Sequence, residues 1–282
     1  MVGCGDVGLR AVRGLPSRVR VLALTSSAQR VPALRASGCT PLVGDLDVPQ
    51  SLRRLAGLAT RVLHLAPPPS QGWTDPRTLA LTRALRRRTP PAAWAYVSTS
   101  GVYGDCAGQW VDEHRRVQAD TPRARRRLHA EQSLRFLGRS AGVRASILRV
   151  PGIYAQDREG GTPQDRLRKG TPVLRPEDDV YTNHIHADDL ARACTLALWR
   201  GRAQRVYNIN DDTVLKMGDY FDLAADLYGL PRPPRVARDG AQRLLPLMLL
   251  SFMSESRRMV NRRMKQELGL RLRYATVAQG LK

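Results

Sequence analysis

Over the first 150 residues, short apolar runs rich in β-branched side chains alternate with stretches of helical periodicity. Residues 19–25, 41–43, 61–66, 93–98 and 144–150 have the length and bounding turn residues of buried strands. Between them, residues 7–15, 28–37, 51–58, 78–88 and about 122–140 read as helices, with Pro16, Gly38 and Pro90-Pro91 as stops. This alternation predicts an α/β fold with a doubly wound, mostly parallel sheet, whose ligands gather at the carboxyl ends of the strands. Gly3, Asp45, Ala66, Thr99 and Pro151 all fall at such ends.

Past residue 152 the alternation lapses. A Gly-, Pro- and charge-rich segment runs to 179, followed by a helix over 188–199, a strand over 206–209 and helical carboxyl-terminal sequence. The expected division is a first domain of residues 1–155, joined by sheet elements at about 180–210, and a smaller substrate lobe of residues 156–180 and 211–282. The apolar run 244–253 is assigned to the core of that lobe.

At the start of the chain, Gly3, Cys4, Gly5, Asp6, Val7 and Gly8 form a G-x-G-x-x-G loop. In a Rossmann-type unit such a loop opens a helix whose backbone N–H groups and positive dipole end meet a dinucleotide's pyrophosphate. Cys4, at a helix amino terminus, is expected to have a lowered pKa. Little strand precedes the loop, so the chain as given is expected to begin inside its first strand. An acid about twenty residues past the glycines would bind NAD ribose hydroxyls. Here that stretch is Thr25, Ser26, Ser27, Ala28, Gln29 and Arg30, and hydroxyls with Arg30 favour NADP over NAD.

The chain has 282 residues and a formal charge of +21, but only four of its 46 basic residues are lysine. The arginines are spread through every predicted element, and no nucleic-acid motif accompanies them, which argues against a nucleic-acid partner. Cys4, Cys39, Cys106 and Cys194 lack the spacing of a metal site or disulfide framework, so no metal is assigned and a reducing cytoplasm is expected. No apolar run is long enough to be read as a membrane span.

The segment Tyr96-Val97-Ser98-Thr99-Ser100-Gly101-Val102-Tyr103-Gly104 resembles the extended short-chain dehydrogenase/reductase superfamily, the NAD-dependent epimerase/dehydratase family, and in particular its atypical members. Further pieces resemble it in the same order: Val62-Leu63-His64-Leu65-Ala66 its fourth strand, Leu148 to Tyr154 its sixth, His184 to Ala191 its "HxDD" segment, and Lys265-Gln266-Glu267-Leu268-Gly269 its closing helix. The resemblance implies a small-molecule carbonyl or alcohol substrate and a homodimer. It places Asp45, Leu46, Leu65, Ala66, Pro67, Pro151 and Gly152 against the cofactor.

The family's catalytic group is a Ser or Thr after the fifth strand with a Tyr and a Lys four residues apart on the next helix. Thr99 stands at the first position. Aligning Arg127-Leu128-His129-Ala130-Glu131 puts Arg127 at the Lys position, near the cofactor ribose, and Arg123 where the Tyr belongs. Arginine keeps its proton at neutral pH, so Arg123 is no proton shuttle. The proton must come from Tyr103, Tyr154, His184, His186 or water, and His184 is favoured because imidazole titrates near neutrality. The alternative is a dinucleotide-binding sensor without catalysis.

Overall fold

The computed structural model describes residues 1–282, with side chains described for all but 247 and 248. Its strands are β1 (Val21–Thr25), β2 (Cys39–Val43), β3 (Arg61–His64), β4 (Ala93–Thr99), β5 (Arg144–Val150), β6 (Gly152–Tyr154), β7 (His184–His186) and β8 (Arg205–Asn208), besides two-residue pairings. The apolar runs make parallel ladders, as expected of strands buried on both faces. In space the order is β2, β1, the backbone of Met1 and Val2, β3, β4, β5 and β8. Val2 bridges Leu24 and His64, donating to the Leu63 carbonyl at 2.8 Å, while the Met1 carbonyl accepts from Leu24 at 2.9 Å. Beyond β5, β6 pairs in parallel with β7.

Helices cover both faces. α1 (Asp6–Arg13) precedes β1, α2 (Val31–Ala36) precedes β2, and α3 (Pro76–Leu85) and α4 (Pro122–Ala141) flank β4 in sequence. α5 (Gln164–Arg168), α6 (Ala187–Arg200), α7 (Met217–Tyr228), α8 (Arg238–Leu244) and α9 (Leu247–Met253) follow. α1 and α6 pack on one face of the sheet around Leu63, Leu148, Leu190 and Cys194. α3 and α4 pack on the other around Leu81, Trp94, Tyr96 and Leu134. A third cluster, away from the sheet, joins Leu167, Val173, Tyr220, Phe221, Leu245 and Met253.

Local chemistry fixes the helix starts beside the strand ends. Thr121 caps α4 by accepting from the Ala124 amide at 3.2 Å, Pro122 takes the first position, and Gly142 closes the helix at φ +67°. Three expected elements differ. Residues 51–58 form not an α-helix but a 3₁₀ segment, Pro49–Leu55, because the chain must turn at Gly57, with φ +77°. The expected closing helix is a single π-helical turn, Met264–Leu268, ended by Gly269 at φ +66°. The run 244–253 is split: Leu245 and Met253 are core, but Leu244 is 63 % exposed.

Candidate active site

The glycine loop sits between the sheet edge and α1 in a conformation that demands its glycines. Gly3 has φ +82°, and a Cβ there would lie 2.4 Å from the Ala66 nitrogen, so only glycine lets the loop pass the end of β3. Gly5 is the amino-terminal cap of α1 with no side-chain acceptor, and a Cβ built on it meets nothing within 4 Å. The start of the helix thus has open space beside Gly5 and first-turn amides without a side-chain acceptor. Asp6 turns away from that role: its carboxylate accepts from Arg10 Nε at 2.9 Å and Arg158 Nη1 at 2.5 Å, and Arg10 also holds Asp157 and Asp188.

Around the loop, Arg30 Nη2 donates to the Cys4 carbonyl at 2.6 Å, and Thr25 Oγ1 accepts from the Ser27 amide at 3.2 Å, with Ser26 exposed. Ala66 and Leu65 donate their amides to Val2, and Pro67 accepts from Arg77. Asp45 Oδ1 accepts from the Asp47 amide at 2.9 Å, a turn role, beside the half-buried Leu46. Cys4 overturns one expectation. Its side chain lies in an apolar cluster with Val21, Leu34 and Cys39, and burial, then Cys39, pushes its thiol up to about 11 instead of down.

A cavity of about 520 Å³ opens at the carboxyl ends of β4 and β5. Thr99, Ser100 and Gly101 line it from β4, Pro151, Gly152 and Tyr154 from β5 and β6, and Asn183 and His184 from β7. Thr99 Oγ1 accepts from the Gly101 amide at 3.2 Å. Strand, glycine loop and cleft thus share the arrangement of a dinucleotide-dependent enzyme.

The chain belongs to the NAD dependent epimerase/dehydratase family. The family model matches residues 4–210. Among solved structures, the chain is 32 % identical to a functionally unknown conserved protein from Silicibacter pomeroyi DSS, covering 99 % of this chain and 95 % of that one with a TM-score of 0.82. It shares its fold with the UDP-glucuronic acid 4-epimerase from Bacillus cereus in complex with NAD, at 17 % identity, coverage of 99 % and 94 %, and a TM-score of 0.77. It also shares the fold of RMD from Pseudomonas aeruginosa complexed with NADPH, at 20 % identity, coverage of 93 % and 97 %, and a TM-score of 0.69. No match is found among the curated proteins.

Thr99 and His184 share the cavity, but Arg127 does not line it: its Nη1 donates to the Val97 carbonyl at 2.8 Å and contacts the Tyr96 hydroxyl at 3.3 Å. His184 is buried, stacked on Tyr220 at 4.3 Å, with Nε2 3.0 Å from Thr182 Oγ1, and burial pushes its pKa down to about 4. A neutral imidazole can hydrogen-bond substrate, but the imidazolium that would serve as a general acid is absent at neutral pH. Tyr103 is buried and donates to Asn208 at 2.7 Å, and His186 Nδ1 caps α6 through the Asp188 amide while its ring stacks on Tyr274. Tyr154 lines the cavity, yet its hydroxyl contacts the Thr276 carbonyl and burial raises its pKa.

Arg123, on the first turn of α4, lines the cavity over the ring of Phe252 at 4.7 Å. No motif or spacing in the sequence signals its companions Arg158, Arg166, Glu255 and Arg257. The last two arrive because Arg258 and Met259 pair in parallel with Trp110 and Val111, bringing the carboxyl-terminal segment to the sheet edge. There Glu255 Oε2 accepts from Arg257 Nη2 at 2.8 Å and lies 3.9 Å from where a Gly101 Cβ would be.

Proposed function

We propose that the chain is an NAD(P)-dependent oxidoreductase or epimerase/dehydratase-like enzyme acting on a carbonyl or alcohol in the cavity beside Thr99. The single observation that carries this reading is the Arg158–Asp6 pair at 2.5 Å, which joins the first residue of α1 to a wall of the cleft at the ends of β4 and β5. The glycine loop fits a pyrophosphate, because the first turn of α1 lacks a side-chain cap and there is open space beside Gly5. In this reading Gly3 to Gly8, Thr25, Ser26, Arg30, Asp45, Leu46, Leu65 to Pro67, Pro151 and Gly152 border the dinucleotide. A bound nicotinamide supplies hydride transfer to or from a carbonyl carbon. Thr99 donates its hydroxyl proton in a hydrogen bond to the substrate oxygen, and Arg127, anchored on Val97, adds a fixed positive charge behind the ribose.

Arg30 against the glycine loop, with no acid from Thr25 to Arg30, supports NADP over NAD. Residues 156–180 and 211–282 serve as the substrate lobe, consistent with their own apolar cluster, and residues 1–155 with 180–210 as the dinucleotide domain. Sugar nucleotides are the substrate class suggested by the fold's relatives. The exposed Phe136 on α4 offers an apolar contact for a homodimer. Among the described residues no helix is long and apolar enough to cross a membrane.

A second reading, a dinucleotide-binding sensor, is favoured by one observation: burial holds His184 neutral in a cavity where the sequence alignment offers Arg123 in place of the Tyr. Thermal-shift titration with NAD, NADH, NADP and NADPH tests both readings. Stabilisation is expected, greatest with the NADP pair, and no response to any of the four excludes both. Nicotinamide absorbance during a carbonyl screen then separates enzyme from sensor, since only the enzyme changes it.

A further inference from the structure

Four guanidinium groups line the cavity, those of Arg123, Arg158, Arg166 and Arg257, against one carboxylate, Glu255. Two of the four are matched: Arg158 pairs with Asp6 at 2.5 Å and Arg257 with Glu255 at 2.8 Å. The other two rest on aromatic faces, Arg123 over Phe252 at 4.7 Å and Arg166 over Phe221 at 4.2 Å. Among the described residues neither has a carboxylate or carbonyl partner. For Arg166 this is the sharper anomaly, because its Nε and Nη2 are buried with no acceptor. A ring face attracts the cation but offers nothing in the guanidinium plane, where the N–H groups point. Buried donors in native proteins are nearly always satisfied, and a ligand is one of the few explanations for an exception. The donor set is a planar fork, the geometry that carboxylates and phosphates accept bidentately.

We propose that Arg166, with Arg123 lining the same cavity, binds an anionic oxygen group of the substrate, a carboxylate or a phosphate, and so selects acidic substrates. This rests on reading the cavity as the substrate cleft. Desolvation lowers the pKa of both guanidinium groups, as expected of cations kept without a counter-ion, and an incoming anion reverses that cost. Without the ligand, burial of Nε and Nη2 with no acceptor carries a desolvation cost that the attraction of the guanidinium to the Phe221 ring only partly offsets.

The experiment compares the full chain with Arg166→Met, Arg166→Lys and Arg123→Met. In a buffer free of polyvalent anions, Arg166→Met is expected to melt at the same or a higher temperature, because the thioether replaces the cation with an apolar contact on Phe221 and the orphaned donors are gone. Calorimetric titration with inorganic phosphate, glucuronate and UDP-glucose, at saturating NADP, then reads the site. At least one probe binds the parent, its affinity falls tenfold or more in Arg166→Met and less in Arg166→Lys, and Arg123→Met weakens it too. A response to phosphate or UDP-glucose assigns a phosphate, and one to glucuronate alone assigns a carboxylate; either supports the proposal. A lower melting temperature of Arg166→Met without ligand makes the guanidinium part of the fold and overturns it. So does a parent that binds no probe, or binding that ignores residue 166. NADP affinity, followed in every variant, keeps these failures distinct from failure of the cofactor reading.

Discussion

At Thr99 the hydroxyl accepts the Gly101 amide, which leaves its own proton free for a substrate oxygen in the cavity. Valine has nearly the same shape and no donor, so Thr99→Val isolates that bond. Loss of a donor aimed at developing oxygen charge costs on the order of 3 kcal/mol of transition-state stabilisation, about a hundredfold in kcat. Steady-state turnover should show that drop, with cofactor affinity unchanged; turnover equal to the parent's would remove Thr99 from the chemistry. His184 shows why a residue's type does not reveal its proton. Imidazole in a sequence suggests titration near neutrality, but the ring is sealed against Tyr220 and pushed down to about 4, an effect of packing from α7 that no local spacing announces. Cys4 repeats the lesson with opposite sign: its helix-end position argues for a low pKa, and burial beside Cys39 wins.

Among the elements, those defined by local physics were readable and those made by distant pairing were not. β1 and most of β4 are apolar runs, β5 carries Ala145, Ile147, Leu148 and Val150, and the loop at Gly3 to Gly8 states its own geometry, so all appear in the sequence. Glu255 and Arg257 sit on a segment steered by a two-residue ladder to Trp110 and Val111, too short to leave a period of two. Arg166 lies in a Gly-, Pro- and charge-rich stretch that reads as solvated, and only the apolar wall of Phe221 makes it part of a cavity. The loop allows a sharp test. Gly3→Ala forces a side chain into the left-handed region and a Cβ to 2.4 Å from Ala66, where the obstacle is backbone and cannot rotate away. The expected loss is on the order of 3 kcal/mol from strain and overpacking together. Urea denaturation should register it along with loss of dinucleotide binding, whereas an unchanged midpoint would show that the loop does not pass β3 in this way.

Over the whole molecule, buried ionisable groups give stability a defined slope with pH. His64 and His184 are pushed from the ordinary 6.5 down to about 3 and about 4 by burial, so between about pH 4 and 6.5 the unfolded chain binds two protons that the folded chain refuses. Stability from these groups is present above pH 6.5 and lost as pH falls. Asp211 acts in the other direction: burial raises its carboxyl from 3.8 to about 7, so across the same interval the folded chain holds a proton that the unfolded chain has released. His186 is lowered and Asp179 raised, mainly by burial in each case, and these two oppose each other. For His64, His184 and Asp211 together the balance is one proton in favour of the unfolded state, so these three groups lower stability by about 1.4 kcal/mol for each pH unit of acidification between pH 6 and 5. Asp211→Asn removes the opposing member while keeping an oxygen for the Thr213 amide, which Asp211 Oδ1 now accepts at 3.0 Å. The variant should therefore be more stable than the parent at pH 7, where the parent's carboxylate bears its desolvation cost. It should also lose stability about twice as steeply between pH 6 and 5, with the two proteins converging toward pH 4. Urea midpoints at pH 5, 6 and 7 measure all three features, and a variant whose slope matches the parent's would mean that Asp211 is ionised throughout.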